Sequence, residues 1–298
     1  MNKLTSILII VVVAVLGVVA FMGLPSQPAP IQNVAISSSE YNFTTPVSIT
    51  GGLVKITFTN IGKEDHHAQM FRLNDGVTLQ KFQSTVDAIL KAAPVEGETA
   101  YLKFLDVSTF AGGPPPTPVS KTTEVIQDLK PGQYVLICFL AGPDGIPHVA
   151  KGMVKPLTVT TATGQPAPPQ SQTTVELKDF AFVSSSDIGA GKTTVQVINT
   201  GKEAHEMVVV HLKGITAAQL QEMFLAPPPV PGEAEAPPPG PPPFEFAGGM
   251  QAIGPGERAW TSLDLQSGDY VYVCFIPSAA NQGKPHAALG MFYPFKVP

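Results

Sequence analysis

Residues 138–153 read CFLAGPDGIPHVAKGM, and residues 274–291 read CFIPSAANQGKPHAALGM. Each stretch opens on one of the chain's 2 cysteines, reaches a Pro-His pair, and places a methionine five residues after that histidine. Just upstream lie PGQYVLICF (131–139) and SGDYVYVCF (267–275), short apolar runs rich in β-branched and aromatic residues with a glycine near the start. Such runs read as buried strands. The match extends outward. TFTNIGKEDHHAQMFRL (57–73) aligns with QVINTGKEAHEMVVVHL (196–212), so Asn60, Gly62, Lys63, Glu64 and His66 match Asn199, Gly201, Lys202, Glu203 and His205. Phe43 and Phe182 precede the two asparagines by the same 17 residues. Matched segments in one order mark a duplicated unit.

The 298 residues hold two such units comfortably. Residues 32–160 form the first expected domain and 175–298 the second. TATGQPAPPQSQTT (161–174), with almost no apolar bulk, reads as a semi-extended linker. A proline-rich segment, 226–243, interrupts the second unit and reads as a solvated loop. Within each unit the strand signals dominate. GGLVKITFTN (51–60) alternates Val54, Ile56 and Phe58 on one face, and VKPLTVT and FYPFKVP close the units as last strands. One helix is predicted in each: residues 77–91 put Leu79, Phe82, Val86 and Ile89 on one side, and Thr216 with Gln219 spells a capping box. The expected class is all-β, two tandem Greek-key sandwiches each with a short helix.

The N-terminus carries no charge from Ile7 to Leu24. That length is at the lower edge of a spanning helix, and Lys3 before it favours an inside N-terminus. Residues 1–31 are therefore expected to be a signal anchor and spacer, with a cleaved signal peptide as the alternative. The rest of the chain is expected outside the cytoplasm. A net charge of -5, only 18 Lys and Arg, and no basic run exclude a phosphate-tracking surface, so no nucleic acid is expected. Two cysteines at equivalent points of separate units are a poor disulfide pair.

Cysteine, histidine and methionine together are an unusual donor set. Two imidazoles, one thiolate and a long axial thioether suit copper cycling between two oxidation states. The first unit offers His66, Cys138, His148 and Met153; the second offers His205, Cys274, His286 and Met291. Pro147 and Pro285 stiffen the backbone before the second histidine, and Gly152 and Gly290 let the chain approach closely before the methionine. His67, His211, Met70 and Met207 read as structural residues, and Glu64 and Glu203 as turn residues ordering the loop before the first histidine.

The Asn-x-Gly before the first histidine, the G-x-Y-x-x-x-C of GQYVLIC and GDYVYVC, and the final His-x4-Met resemble the cupredoxin family of plastocyanin- and azurin-like blue copper proteins. The resemblance spans both units. It implies type 1 copper, up to two ions, held by those eight residues, and one-electron transfer between a membrane donor and an exported redox protein. Nine residues separate Cys138 from His148 and eleven separate Cys274 from His286, more than in small blue copper proteins. Where the family often has Asn after the first histidine, this chain has His67 and Glu206. Of 6 histidines, only His67 and His211 lie outside the two sets. That is too few for a second kind of copper centre, and the chain is expected not to be an enzyme. Two other readings stay open: copper handling or delivery, and a metal-free interaction module.

Overall fold

The computed structural model describes residues 30–91, 102–162, 164, 166–226 and 242–298. The expected membrane segment and most of the proline-rich loop lie outside these residues. Among the described residues no helix is long and apolar enough to cross a membrane.

The first half contributes β1 (Gln32–Ser39), β2 (Asn42–Thr44), β3 (Ser48–Thr50), β4 (Gly52–Asn60), β5 (Gln69–Leu73), β6 (Ser108–Phe110), β7 (Thr122–Leu129), β8 (Gly132–Ile137) and β9 (Val154–Thr160). The second contributes β10 (Thr173–Lys178), β11 (Ala181–Ser184), β12 (Gly191–Asn199), β13 (His205–Leu212), β14 (Phe244–Ile253), β15 (Arg258–Leu265), β16 (Gly268–Val273) and β17 (Phe292–Val297). They form three sheets, in the orders β3-β9-β8-β5-β6, β14-β13-β16-β17, and β11-β10-β12-β15-β7-β4-β1-β2. Each half is thus a sandwich of one private sheet against its own part of the long shared sheet.

Alternation in β4 drives the packing. Val54, Ile56 and Phe58 are fully buried, while Lys55, Thr57 and Thr59 between them stay partly exposed. β8 does not alternate: Tyr134, Val135, Leu136 and Ile137 are all buried. Both faces of its sheet are covered. Met70 of β5 turns inward and meets Gln127 of β7. Phe71, next to it, turns outward into a cluster with Phe82, Phe104 and Phe110, ring centroids 4.9–5.9 Å apart. Phe82 belongs to the expected helix, Leu79–Lys91. Burying each such ring is worth about 1.5–3 kcal/mol. The second helix, Ala217–Leu225, starts at Thr216 with both arms of the capping box formed.

The halves are joined through the long sheet. β15 pairs antiparallel with β7, and Val125 faces Thr261. Those two residues are themselves equivalent, each seven before the glycine that opens the cysteine strand (Gly132, Gly268). Antiparallel pairing centred on equivalent residues gives the halves a local pseudo-two-fold relation. A second seam runs beside it: Gly112 donates its N–H to the Ala252 carbonyl (2.7 Å) and Gln251 to that of Gly113 (2.9 Å). Gln69 spans the seam, its Oε1 accepting from Ala252 N–H at 3.0 Å and its Nε2 donating to the Gly112 and Ala252 carbonyls.

Candidate metal centres

In each half the first histidine lies where the chain enters a strand of the private sheet. His66 precedes β5 and bridges to Thr117, and His205 is the first residue of β13. The cysteine follows the last residue of β8 or β16. The second histidine opens a short helical turn, His148–Lys151 or His286–Leu289, with Pro147 or Pro285 as its extended N-cap. That turn is closed by Gly152 (φ 95°) or Gly290 (φ 123°), values L side chains rarely adopt. The chain then returns so that Met153 N–H bonds the His148 carbonyl and Cys138 N–H bonds the Met153 carbonyl. The second half repeats both bonds with Met291, His286 and Cys274.

The structure brings the donors together. His66, Cys138 and His148 are fully buried with their ligand atoms all within 4.8 Å of one another, and so are His205, Cys274 and His286. Nδ1 of His66 lies 3.0 Å from Nδ1 of His148, which lies 3.4 Å from Cys138 Sγ. The corresponding distances in the second half are 2.9 and 3.4 Å. Met153 and Met291 are fully buried beside these groups through the backbone bonds just described. Both cysteines are free thiols.

The unequal Cys–His loops do not disturb this geometry. Ala141 bridges to Pro147, and Pro277 bridges to Pro285, so each loop is pinched at its base. His148 N–H bonds the Leu140 carbonyl at 2.8 Å and His286 N–H bonds that of Ile276 at 2.9 Å. The two extra residues are taken up beyond the pinch, away from the donors.

Carboxylates set the imidazole tautomers. In the second half, His205 Nε2 pairs with Asp179 Oδ1 at 2.6 Å and His286 Nε2 with Glu203 Oε2 at 3.0 Å. A neutral imidazole donates from one nitrogen and accepts at the other, so both Nδ1 atoms present lone pairs to each other 2.9 Å apart. Two such lone pairs beside a thiol repel unless a cation lies between them. Burial disfavours protonation of both rings: it lowers the pKa of His205 against the pull of Asp179, and it pushes His286 down to about 4. In the first half Glu64 Oε2 takes His148 Nε2 at 2.7 Å, while His66 Nε2 is buried with no partner. Burial, followed by the charge of His148, pushes His66 down to about 4. Glu40 stands where the second half has Asp179, but it caps Lys63 N–H and does not bond His66. Asp179 caps the equivalent Lys202 N–H and still reaches its histidine.

The thiols are surrounded by N–H donors. His67 N–H points at Cys138 Sγ (3.5 Å) and Glu206 N–H at Cys274 Sγ (3.4 Å). Burial pushes Cys138 up to about 12 and Cys274 well above the usual thiol range. Forming the thiolate in this interior therefore needs a cation, and metal binding releases the proton. A donor pair held by an ion at roughly 2.0–2.3 Å from each atom is at most about 4.5 Å apart; the contacts of 2.9–3.4 Å fit this. Two imidazoles and one thiolate converging in a dry pocket suit copper, one ion in each half. Both sets are cupredoxin-like.

His67 and Glu206, the residues after the first histidines, reach across to the ends of the cysteine strands. His67 Nε2 accepts Phe139 N–H at 2.6 Å, and Glu206 Oε1 accepts Phe275 N–H at 2.8 Å, each bracing the residue after a cysteine. Glu64 and Glu203, expected only to order a turn, in fact bond the second histidines. Glu40 and Asp179 were not singled out from the sequence. The signal was present: each precedes its histidine by the same 26 residues and stands directly before the matched aromatics Tyr41 and Phe180. Those aromatics lie against His148 and His286, centroids 5.3 and 4.9 Å away.

No family model and no curated protein matches the chain. Among solved structures it is similar to a dithionite-reduced auracyanin from Roseiflexus castenholzii, 16% identical over 44% of this chain and 99% of that one, with a TM-score of 0.27. It is similar to a multicopper oxidase, 12% identical over 92% and 91%, with a TM-score of 0.26. A copper nitrite reductase from Nitrosomonas europaea is 13% identical over 90% and 94%, with a TM-score of 0.25. The expectation that the chain is not an enzyme is withdrawn on this finding, since proteins named as enzymes align along about nine tenths of it.

Proposed function

We propose that the chain is a copper redox protein that moves single electrons through two type 1 centres. His66, Cys138 and His148 would hold one ion and His205, Cys274 and His286 the other, and Met153 and Met291 would each offer a thioether. The observation that carries this reading is the geometry of the second set: two imidazoles whose Nε2 atoms are held by Asp179 and Glu203 turn their Nδ1 atoms to each other and to a buried thiol. Copper supplies one-electron chemistry when bound. The chain's own part is to hold the donors still. His66 lies just before β5 and Cys138 just after β8, which are hydrogen-bonded neighbours, and the second histidine sits on a turn tied back to the cysteine carbonyl at 2.8 Å. Full burial keeps water off the donors. A fixed, dry donor set changes little between oxidation states, which favours fast electron exchange.

The same burial supports holding an ion over passing it on, because no donor of either set is open to solvent. The apolar run from Ile7 to Leu24 supports placing the protein at a membrane with both domains outside the cytoplasm. Its exchange partners would be a membrane electron donor and an exported redox protein.

Copper(II) titration tests the reading. Wild-type protein is expected to take up two equivalents with an intense visible thiolate-to-copper band. Cys138→Ser and Cys274→Ser should each remove about half of it, and the double variant all of it. Copper uptake without that band would point to copper handling instead, and no uptake would sink both.

A further inference from the structure

The two donor sets are built alike, but the carboxylate on the second histidine is held differently in each. In the first half Glu64 Oε2 pairs with His148 Nε2 at 2.7 Å, and Glu64 Oε1 accepts the Tyr41 hydroxyl at 3.3 Å. Lys151 completes the chain of contacts. Its Nζ donates to the Tyr41 oxygen at 3.0 Å and lies 2.8 Å from Asp144 Oδ1. The Lys151 side chain is 15% exposed and that of Asp144 51%, so water screens the carboxylate more than the ammonium. Gly142 shows how near the ammonium comes to the set: a Cβ there would lie 2.6 Å from Lys151 Nζ and 3.0 Å from Glu64 Oε2.

All three positions differ in the second half. Phe180 stands in place of Tyr41, Leu289 in place of Lys151 and Ser278 in place of Gly142. Neutral groups hold Glu203 instead: the Ser278 hydroxyl at 3.0 Å and the Ala279 and Ala280 N–H groups at 3.1 and 3.0 Å. The other histidine differs in the same sense. Asp179 bonds His205, whereas His66 Nε2 has no partner. Other nearby charges weigh less. Lys202 and Lys284 of the second half are exposed to solvent. Asp65 of the first half turns to Val119 N–H.

Oxidation of copper(I) to copper(II) adds one positive charge to a donor set. A carboxylate on a ligating imidazole favours the oxidised form by its charge and by making the ring more basic. An ammonium just beyond that carboxylate opposes it. The second set therefore favours copper(II) more than the first. A bonded route joins the halves: His67 accepts Phe139 N–H and is hydrogen-bonded to Gln251 of the second half.

Resting on the copper reading above, we propose that Lys151, acting through Tyr41 and Glu64, sets the first centre at a higher reduction potential than the second, so that an electron entering at the second centre passes to the first. One electron moves, oxidising the second centre and reducing the first; no bond or proton moves. Lys151 touches no donor and is a positioning residue. Cys274→Ser and Cys138→Ser, loaded with copper(II), each keep one intact centre, whose midpoint potential is read from its blue band by spectroelectrochemical titration. The first centre is expected to favour copper(I) about tenfold more than the second, which is about 59 mV for one electron. In the Cys274→Ser background, Lys151→Leu should remove about that difference and Lys151→Arg should retain it. Tyr41→Phe, which brings in the second half's residue type, should shift the potential in the same direction by less. A first centre at or below the potential of the second would overturn the proposal. So would an unmoved potential in Lys151→Leu with wild-type circular dichroism, or equal shifts in Lys151→Leu and Lys151→Arg. Absence of the blue band from both single-cysteine proteins would overturn the copper reading itself, and this proposal with it.

Discussion

One methylene separates the two centres at the scale of single residues. Asp179 bonds both a backbone N–H and its histidine, whereas Glu40 at the matching position bonds only the backbone. A carboxylate on the far nitrogen of a ligating imidazole fixes its tautomer and raises its basicity, and losing one typically costs about 10–100-fold in metal affinity. Asp179→Asn is therefore expected to weaken copper(II) at the second centre by that range, measured by competition with a chelator in a Cys138→Ser background. Glu40→Gln should change the first centre by far less. Equal effects would show that the asymmetry has no consequence.

Glu206 also belongs to this scale. Burial pushes its pKa up to about 7 from an ordinary 4.5. The folded protein thus holds a proton that the unfolded chain has released between about pH 4.5 and 7. Stability falls as pH rises through that window and is flat above it. The full difference is about 3 kcal/mol. Metal-free wild type should lose midpoint stability in urea between pH 5 and 8 relative to Glu206→Gln, which keeps an acceptor for Phe275 N–H. Parallel pH profiles for the two proteins would rule this out.

At the scale of elements, the private sheets depend on two glycines in a repeated FAGG, residues 110–113 and 246–249. Gly249 has φ 104°, and a Cβ there would lie 1.9 Å from the Met207 carbonyl oxygen; at Gly113 (φ 121°) it would lie 2.0 Å from that of Ala68. Both carbonyls belong to the segment just after a first histidine. Gly249→Ala is expected to cost more than about 3 kcal/mol, since it combines positive-φ strain with a backbone clash. A thermal midpoint within a few degrees of wild type would contradict this. The FAGG repeat was not singled out from the sequence, because nothing local says which carbonyl will pass against a glycine. The cysteine loops make the opposite case. They differ in length by two residues, yet the Ala141–Pro147 and Pro277–Pro285 bridges isolate the difference from the donors.

For the whole molecule, the shared eight-stranded sheet makes two sandwiches into one body. Val125 against Thr261, the Gln69 bonds across the seam and the strand pairing around them couple the halves through backbone hydrogen bonds. Unfolding one half would strip partners from β7 or β15. The described body is expected to unfold in a single calorimetric transition with matching calorimetric and van't Hoff enthalpies. Two resolved transitions would mean that the seam contributes little.

The sequence by itself determined the duplication, the β class, the two helices and the eight donor candidates. Each of these rests on spacing along the chain: strand alternation, a capping pair, and Cys, His and Met at repeated intervals. It did not reveal that Glu64 and Glu203 reach the second histidines, that Asp179 and Glu40 part ways, or that His67 braces the residue after Cys138. These are contacts between segments 23–84 residues apart. Their geometry depends on side-chain reach once the strands are paired. The union of the halves through β7 and β15 was likewise decided only in three dimensions. An edge strand's free N–H and C=O groups accept any complementary edge, and only the folded arrangement shows that each half's edge meets its own duplicate.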